Sequence, residues 1–572
     1  MRERAPQGTL PGFGAPSPPP IIKVPTAEQT AIIAYVRSGT QHLLVQALAG
    51  TGKTSTIVAS LVEATVKRVL LCAFGRENAK ALRIQMPKAP PKHTWKASTL
   101  HGQGLGILRS YGWKPDPEDK AVPDEEDPGE EEKGGGIRKN ESENLVNDVA
   151  DTIAQVVSAD DLRGSEPWFS LPIALTGNVK FVVSPEVRRA ARDLLHYWKD
   201  RCLGQDDVDS EELEAFDDLS SEEDADLVYT IADLAYHLGA RIDRPRIDYH
   251  DMIWLPLVLD LMPKWPYPLV IVDEGQDLSR PQFKLAKRLM SPGGRLVVVG
   301  DLRQSIYGWR GAVGDEVWAE MGTMQSVMLP LTVSFRCARA VVEVANVLVE
   351  ELRAWDNAPV GMIRTCTFAR MIEGLPTASI DSFVLSRNNA VLFDIALQLW
   401  SRNAIFSFSK GKELAVGLHA LVNQLNINDA ESFRKSLDEW YEKALAKAEE
   451  KTALSKIARI KQRRATLLAL LTCTEPRGLH ALLQRLTTER ANAVVKLATV
   501  HGAKGLEADR VYLMRETFAR HQERPPEPIP QEELNLEYVA ITRARRELIW
   551  VDLSEEILKA PQRLPVAPVR KP

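Results

Sequence analysis

The chain has 572 residues, of which 44% are hydrophobic and 26% are charged, so we expect a globular protein of several domains. This composition excludes a wholly disordered chain and a fibrous one, and no run of ~18 apolar residues is present that would span a membrane. The formal net charge of −5 at pH 7 argues at first sight against a nucleic-acid partner.

The charge is unevenly distributed along the chain. Residues 116–132 carry ten acids and one lysine, and residues 205–226 carry twelve acids and no base. The other 533 residues have a net charge of +16, which is enough for a basic track along a cleft. We interpret both acidic segments as solvated loops. The alternative is an acidic flap that competes with a nucleic acid for the basic groove.

The five cysteines are widely spaced without a CxxC pair, and the N-terminal residues have no apolar stretch that resembles a signal peptide. This pattern excludes a disulfide framework, a zinc site and an iron–sulfur cluster. We therefore expect an intracellular, soluble protein with no membrane partner.

Short apolar runs alternate with helical stretches along the chain. After a Pro- and Gly-rich tail and an amphipathic helix, the sequence predicts strands at 42–48, 66–74, 267–274 and 294–301. Continuous Val, Leu and Ile runs that end in polar loops are typical of a parallel sheet covered on both faces. A second set of strands is predicted at 382–387, 494–500, 509–514 and 547–552. Residues 429–470 lack Gly and Pro and predict a long helix.

The segment ALAGTGKT (47–54) lies between a predicted strand and a predicted helix and matches the phosphate-binding pattern GxxxxGK[ST], except that Ala47 replaces the first glycine. Gly50 and Gly52 would let the backbone curl around Thr51, so that its N–H groups face the phosphates. Lys53 would reach the β- and γ-phosphates, and the Thr54 hydroxyl would bind Mg²⁺. An ordinary strand–helix turn is the alternative interpretation.

The apolar strand 267–274 ends in the acidic pair Asp273–Glu274. A carboxylate at the end of a buried strand is costly without a cation, which Mg²⁺ would supply to Asp273. Glu274 would orient or deprotonate the attacking water. A helix cap or a surface charge is the usual role of such a pair, but together with the phosphate loop it predicts ATP hydrolysis.

Further short segments follow one another in a characteristic order. They are TAEQ (26–29), CAFGRENAKAL (72–82), STLHG (98–102), DYHDM (248–252), DEGQD (273–277), VGDLRQSIYGWRGA (299–312), SFR (334–336), VLSRNNA (384–390), TVHGAKGLE (499–507) and EELNLEYVAITRA (532–544). With these motifs the chain resembles the UvrD/Rep/PcrA helicases of superfamily 1 over nearly all of 25–555. It is most similar to the F-box DNA helicase type.

The resemblance implies an α/β fold with two RecA-like P-loop motor domains, in which parallel sheets carry helices on both faces and each domain has a mainly helical insertion. The implied division is a flexible tail (1–24), a first motor domain (25–110 and 250–330), its insertion with the acidic loops (111–249), a second motor domain (331–400 and 490–560), a reduced helical insertion (401–489) and a tail (561–572).

The resemblance also implies roles in the nucleotide site. Gln304 would sense the γ-phosphate, and Arg336 and Arg543 would be arginine fingers from the second motor domain, whose charge stabilises the transferring phosphoryl group. The residues expected to contact the nucleoside are Gln29 at the adenine edge, Phe335 stacked on the adenine and Glu507 on the ribose. The implied ligands are ATP and Mg²⁺.

For the DNA track, the resemblance implies rings stacked on bases at Phe74, Tyr307 and Trp309, with Arg310 and His101 near the backbone. Stacking of this kind contributes ~1–3 kcal/mol per base and does not depend on base sequence. The alternative is that these rings belong to the core. This alternative is strongest for Phe74, which lies at the end of an apolar strand.

Three features depart from the bacterial repair helicases. Leu48 stands where those enzymes have Gly, and Asn535 replaces an arginine, which removes one phosphate-directed charge. Only 163 residues separate Arg336 from Thr499, so the insertion of the second motor domain must be reduced.

We therefore predict an ATP-dependent helicase or translocase that moves 3′→5′ on single-stranded DNA and unwinds duplex at single-strand/double-strand junctions, in DNA repair, recombination or replication. Direction comes from the resemblance alone. The alternatives are a DNA-stimulated ATPase that acts as a switch or defence-complex subunit without processive unwinding, and an RNA helicase.

The segment QGTLPGF (7–13) fits the QxxLxxF pattern of sliding-clamp ligands. A match of seven residues in a Pro- and Gly-rich tail also arises by chance. Clamp binding and a plain linker are therefore both open for this segment.

Overall fold

The computed structural model describes residues 24–115, 141–158, 183–201, 222–308 and 312–553. The last range has gaps at 388, 403, 409–410, 426, 450–459, 461–462, 465–466, 469–470, 472–474, 481–482, 484–492 and 523–524. The predictions that lie outside the described residues are those for the tail 1–24 up to residue 23, the segment 7–13, the acidic segment 116–132, most of the acidic segment 205–226, Trp309, Arg310 and the tail 561–572.

The α-helices of the described residues are α1 (Ala27–Ser38), α2 (Lys53–Glu63), α3 (Arg76–Gln85), α4 (Leu100–Ser110), α5 (Glu141–Ser158), α6 (Pro185–Arg201), α7 (Glu222–Gly239), α8 (Tyr249–Val258), α9 (Arg280–Arg288), α10 (Gly314–Thr323), α11 (Arg339–Ala345), α12 (Phe368–Gly374), α13 (Asn389–Ser401), α14 (Gly411–Val422), α15 (Ala430–Glu449) and α16 (Gln531–Ile541). Within the described residues, none of these helices combines the length and the apolar character that crossing a membrane requires.

The strands are β1 (Leu43–Ala47), β2 (Arg68–Ala73), β3 (Thr94–Thr99), β4 (Tyr267–Val272), β5 (Met290–Gly300), β6 (Val327–Leu331), β7 (Val333–Ser334), β8 (Arg353–Ala354), β9 (Met362–Thr367), β10 (Ser382–Ser386), β11 (Phe406–Phe408), β12 (Val495–Thr499), β13 (Ala508–Met514) and β14 (Ala544–Asp552).

The first lobe is built on a parallel sheet of order β3-β2-β4-β5-β1-β6. Its central strands are buried on both faces, which explains their continuous apolar sequences. The loops that follow β4, β5 and β1 carry the predicted acids and the phosphate loop. Because these three strands are neighbours, their carboxyl ends bring those loops to one edge of the sheet.

The second lobe has a parallel sheet of order β11-β12-β10-β13-β14-β9, with an apolar core on each face. The predicted α/β fold with two parallel sheets flanked by helices is confirmed. One boundary changes: β11 pairs with β12 at the edge of this sheet, so 406–408 belong to the motor sheet and not to the predicted insertion 401–489.

Helices α5, α6 and α7 lie within the predicted insertion 111–249 and pack around Trp198 and Trp254. The ammonium of Lys199 is buried with them. It lies 2.6 Å from Asp251 Oδ1, 3.0 Å from Ser142 Oγ and 4.9 Å from the Trp254 ring centroid. The side chains of Lys199 and Asp251 are both 0% exposed, and Arg244 also lies 3.4 Å from Asp251 Oδ2, so two cations compensate this buried carboxylate.

We expect Lys199→Met to lower the free energy of unfolding by about 1–3 kcal/mol, because the buried Asp251 loses its 2.6 Å hydrogen bond to the ammonium and keeps Arg244, 3.4 Å away, as its remaining cation. Chemical denaturation followed by tryptophan fluorescence measures the change. Lys80→Met is the matched control, since Lys80 pairs with Glu77 on a helix surface, and we expect less than ~1 kcal/mol there. Equal effects of the two variants would contradict the assignment.

Candidate active site

The phosphate loop connects β1 to α2 and depends on two glycines with positive φ. Gly50 has φ +72° and Gly52 has φ +78°, a left-handed conformation that residues with side chains adopt at a cost. A Cβ added to Gly50 would also lie 2.6 Å from the Cβ of Arg336 in the second lobe. The loop therefore curls as the sequence predicts, and it does so against the second lobe. Thr51 is buried in the loop, where its hydroxyl donates to Leu48 O at 2.8 Å.

The loop residues meet the acids that follow β4. Lys53 Nζ lies 3.3 Å from Glu274 Oε2, and the Thr54 hydroxyl donates to Asp273 Oδ2 at 3.3 Å. Glu274 has φ +55°, an uncommon conformation for a residue other than glycine. Backbone strain of this kind concentrates at functional sites. Here it turns the chain just where the two adjacent carboxylates must both face Lys53 and Thr54.

Burial and mutual repulsion separate the pKa values of the two carboxyls. Burial, followed by the charge of Glu274, raises the pKa of Asp273 to about 7. Burial would raise the pKa of Glu274 as well, but Lys53 and Lys504 outweigh it and lower that pKa to about 2. Glu274 is therefore ionised at neutral pH, and Asp273 lacks a full counter-charge from the protein.

A hydrogen-bonded chain links this pair to Gln304. Gln276 Nε2 donates to Glu274 Oε2 at 2.7 Å, and Gln276 Oε1 accepts from the Asp301 N–H at 3.0 Å. Gln304 Nε2 in turn donates to Asp301 Oδ2 at 2.6 Å. The predicted sensor thus reaches Glu274 through two side chains of the first lobe.

The second lobe brings Arg336 and Arg543 to the same cleft. Arg336 pairs with Glu507 and lies against Gly50. Arg543 is 1% exposed and donates through Nε to Val539 O at 2.9 Å and through Nη1 to Leu506 O at 3.1 Å. Burial and the neighbouring Arg336 lower the pKa of Arg543 to about 9, so it remains charged at neutral pH.

The residues predicted to contact the nucleoside also surround the loop. Gln29 is buried: its Oε1 caps α1 by accepting from the Thr26 N–H, and its Nε2 lies 3.5 Å from Thr51 O. Phe335 is 38% exposed beside the loop, with its ring centroid 6.0 Å from that of Trp355. Glu507 is engaged by Arg336 in this structure. The nucleoside contacts of all three stay predictions.

Two predicted DNA contacts form an aromatic pair next to this site. The rings of Phe74 and Tyr307 are 5° from parallel, with centroids 6.3 Å apart, which is close to twice the ~3.4 Å spacing of stacked bases. Phe74 is 38% exposed and therefore does not belong to the core. Burial lowers the pKa of His101 to about 4, so this imidazole is neutral and carries no charge toward a phosphate.

Lys504 and Tyr538 connect the two lobes, and the chemistry of phosphate binding in the sequence did not predict either contact. Lys504 Nζ lies 2.6 and 2.7 Å from the two Asp277 carboxylate oxygens, donates to Gln304 O at 2.8 Å and lies 4.7 Å from the Tyr307 ring centroid. Tyr538 contacts the backbone of the phosphate loop. The sequence did offer one indication that these residues matter, because Lys504 lies in the motif 499–507 and Tyr538 lies in the motif 532–544.

Comparison with known proteins gives the family. Residues 26–319, more than half of the chain, match the UvrD/REP helicase N-terminal domain, and residues 424–555 match the UvrD-like helicase C-terminal domain. The chain belongs to the UvrD/REP helicase family. The resemblance seen in the sequence motifs is thereby confirmed at the level of the family.

Several curated proteins are similar to parts of this UvrD/REP chain. It is 31% identical over 111 residues to the ATP-dependent DNA helicase Rep of Escherichia coli K12, covering 18% of the chain and 16% of that protein. It is 30% identical over 122 residues to a probable DNA helicase II homolog of Mycoplasma genitalium, covering 20% and 17%. It is 26% identical over 298 residues to a probable DNA helicase of Mycoplasma pneumoniae, covering 51% and 44%. Each match spans less than half the length of the relative.

We expect Lys504→Met to separate the lobes of this UvrD/REP chain, because it leaves Asp277, whose side chain is 3% exposed, buried without a cation. The radius of gyration from small-angle scattering, or the distance between fluorophores placed on the two lobes, should increase. Lys496→Met removes a lysine whose partner Asp381 lies in the same lobe, and it should leave the distance unchanged. A Lys504→Met protein with the wild-type distance between the lobes would contradict the inference that Lys504 holds the lobes together.

Proposed function

We propose that this chain is an ATP-dependent DNA helicase or translocase of the UvrD type that moves 3′→5′ on single-stranded DNA. The observation that carries the proposal is the meeting of two sets of groups at one cleft. Lys53, Asp273 and Glu274 come from the first lobe, and Arg336 and Arg543 come from the second. Such a division makes hydrolysis depend on the lobes being closed.

The residues present fit a magnesium nucleotide. The Thr54 hydroxyl and the Asp273 carboxylate offer the oxygen ligands that Mg²⁺ prefers, and the raised pKa of Asp273 is what a buried carboxyl without its cation should have. When bound there, Mg²⁺ would neutralise charge on the β- and γ-phosphate oxygens.

Side chains of this protein would supply the remaining catalytic roles. The phosphates compete with Glu274 for the Lys53 ammonium, so nucleotide binding frees this carboxylate to orient the attacking water. Lys53 is the main group that lowers the pKa of Glu274, so transfer of Lys53 to the phosphates would raise that pKa and suit Glu274 to orient or deprotonate the water. Arg336 and Arg543 would stabilise the charge of the transferring phosphoryl group, and Gln304 would report its state.

Coupling to DNA is supported by the path from the acids to the aromatic pair. Asp277, three residues after Glu274, binds Lys504, whose ammonium also lies 4.7 Å from the centroid of the Tyr307 ring, the ring that pairs with Phe74. A base stacked between the two rings would be held without regard to its identity. A change in the distance between the lobes would move Lys504 relative to the Tyr307 ring and would therefore alter the surroundings of a base stacked on that ring.

The test of this function is unwinding of matched 3′-tailed and 5′-tailed duplexes with ATP and Mg²⁺. We expect unwinding of the 3′-tailed duplex only, and ATPase stimulation by single-stranded DNA. Lys53→Ala should abolish both activities, and Tyr307→Ala should keep ATP binding while losing DNA stimulation, because stacking contributes ~1–3 kcal/mol per base.

Other outcomes separate the alternatives. DNA-stimulated hydrolysis without strand separation on either duplex would support the switch or defence-complex ATPase, and stronger stimulation by RNA than by DNA would support an RNA helicase. Unwinding by Lys53→Ala at the wild-type rate would contradict the proposed site. The proposal also includes a role in repair, recombination or replication and a sliding-clamp partner. A pull-down with a clamp, using wild type and Leu10→Ala, tests the clamp partner.

A further inference from the structure

Helix α16 of the second lobe reaches the first lobe through two side chains on one face. Asn535 and Tyr538 are three residues apart, a spacing that places them on the same side of a helix. They are 5% and 1% exposed.

Tyr538 holds the phosphate loop from the second lobe. Its hydroxyl oxygen accepts a hydrogen bond from the backbone N–H of Ala49 at 3.0 Å, a contact between residues 489 positions apart. Burial raises the pKa of Tyr538 well above its usual range, so the phenol stays neutral. Its ring shares an apolar cluster with Leu48 and Ile306 of the first lobe. Leu48 stands where the bacterial repair helicases have Gly, and it is buried in this cluster.

Asn535 holds the turn that contains Gln304. Its Nδ2 donates to Leu302 O at 3.1 Å and to Ser305 O at 3.0 Å, the carbonyls on either side of Gln304. Gln531 Nε2 donates to Asn535 Oδ1 at 2.9 Å and fixes the direction of the amide. Both donors of the Asn535 amide are therefore used on the first lobe.

The helix between these contacts is rigid, with a rise of about 1.5 Å per residue. It therefore holds the loop before Gly50 and the turn around Gln304 at one distance. The chain leaves α16 directly into Thr542 and Arg543, and Thr542 O accepts from Arg336 Nη1 at 3.5 Å. One helix thus connects the phosphate loop, the sensor turn and both arginines.

We propose that Asn535 and Tyr538 are positioning residues: they hold the phosphate loop, the Gln304 turn and Arg543 in one register when the lobes are docked. The proposal rests on the proposed ATPase function. It predicts an effect on turnover more than on nucleotide affinity, since neither side chain is placed on the nucleotide itself. It also predicts that the Ala49 amide is protected by Tyr538 independently of any activity.

The experiment compares Tyr538→Phe and Asn535→Leu with wild type and with Tyr512→Phe. Tyr512 is a matched control, because its hydroxyl bonds Arg510 on the other face of the second lobe. In Tyr538→Phe, amide hydrogen exchange of the peptide 47–53 should be about tenfold faster, because the Ala49 N–H loses its buried acceptor. In both variants, kcat with single-stranded DNA should fall about tenfold while KM for ATP changes less than about twofold.

A kcat within twofold of Tyr512→Phe overturns the proposal, as does unchanged exchange of the peptide 47–53 in Tyr538→Phe. Parallel tenfold changes in kcat and KM also overturn it, because they would show a binding role. Absence of DNA-stimulated hydrolysis in the wild type would instead remove the proposed function, and the exchange measurement would still decide whether Tyr538 holds the loop.

Discussion

The site depends on an excess of buried carboxylates at one edge of the first sheet. Asp273, Glu274, Asp277 and Asp301 converge there, while the described lysines that contact them are Lys53 and Lys504. Burial raises the pKa of Asp273 to about 7 and that of both Asp277 and Asp301 to about 6. Charge compensation is therefore incomplete within the first lobe. It is completed by a cation from the second lobe and, in the proposed function, by the metal that accompanies ATP.

In the proposed function, this incomplete charge compensation would couple the nucleotide state of the cleft to the contact between the lobes. Lys504 neutralises Asp277 only while the lobes are docked, and it also contacts the Tyr307 ring of the aromatic pair. A change of charge at the phosphate site alters the balance at Glu274, three residues from Asp277 along a tight turn. The proposed coupling between hydrolysis and DNA binding thus depends on charge compensation at the buried acids and on ring stacking at the aromatic pair.

Much of the fold follows from the sequence because the central strands are apolar on both faces. In the two six-stranded sheets, the strands that the sequence does not predict are β3, β6, β9 and β11, which are the edge strands; the short pair β7 and β8 is not predicted either. β3 and β6 are partly exposed and β9 is mostly exposed, so their sequences lack the continuous apolar run that predicts a buried strand, whereas β11 has three residues and is too short to give such a run. Their pairing is decided by neighbours that lie far away in the chain.

The same distinction applies to the site. The curl of the phosphate loop follows from the local sequence, since only glycine takes positive φ without cost at Gly50 and Gly52. The contacts of Lys504 and Tyr538 do not, because they join residues 227 and 489 positions apart. Local chemistry predicts what a segment binds, whereas the partner of a side chain that connects two lobes becomes visible only in the folded chain.

In the proposed function, groups from both lobes act on one nucleotide, and Arg543→Ala tests this cooperation most directly. The measurement is the DNA-stimulated ATPase rate together with the affinity for a fluorescent ADP analogue. The control is Arg546→Ala, which changes an arginine three positions further along the chain whose side chain is 74% exposed. We expect the rate to fall by a factor on the order of 10³ in Arg543→Ala while its ADP affinity stays at the wild-type value, and we expect a normal rate in the control. Rates within about tenfold of wild type in a folded Arg543→Ala protein would contradict it.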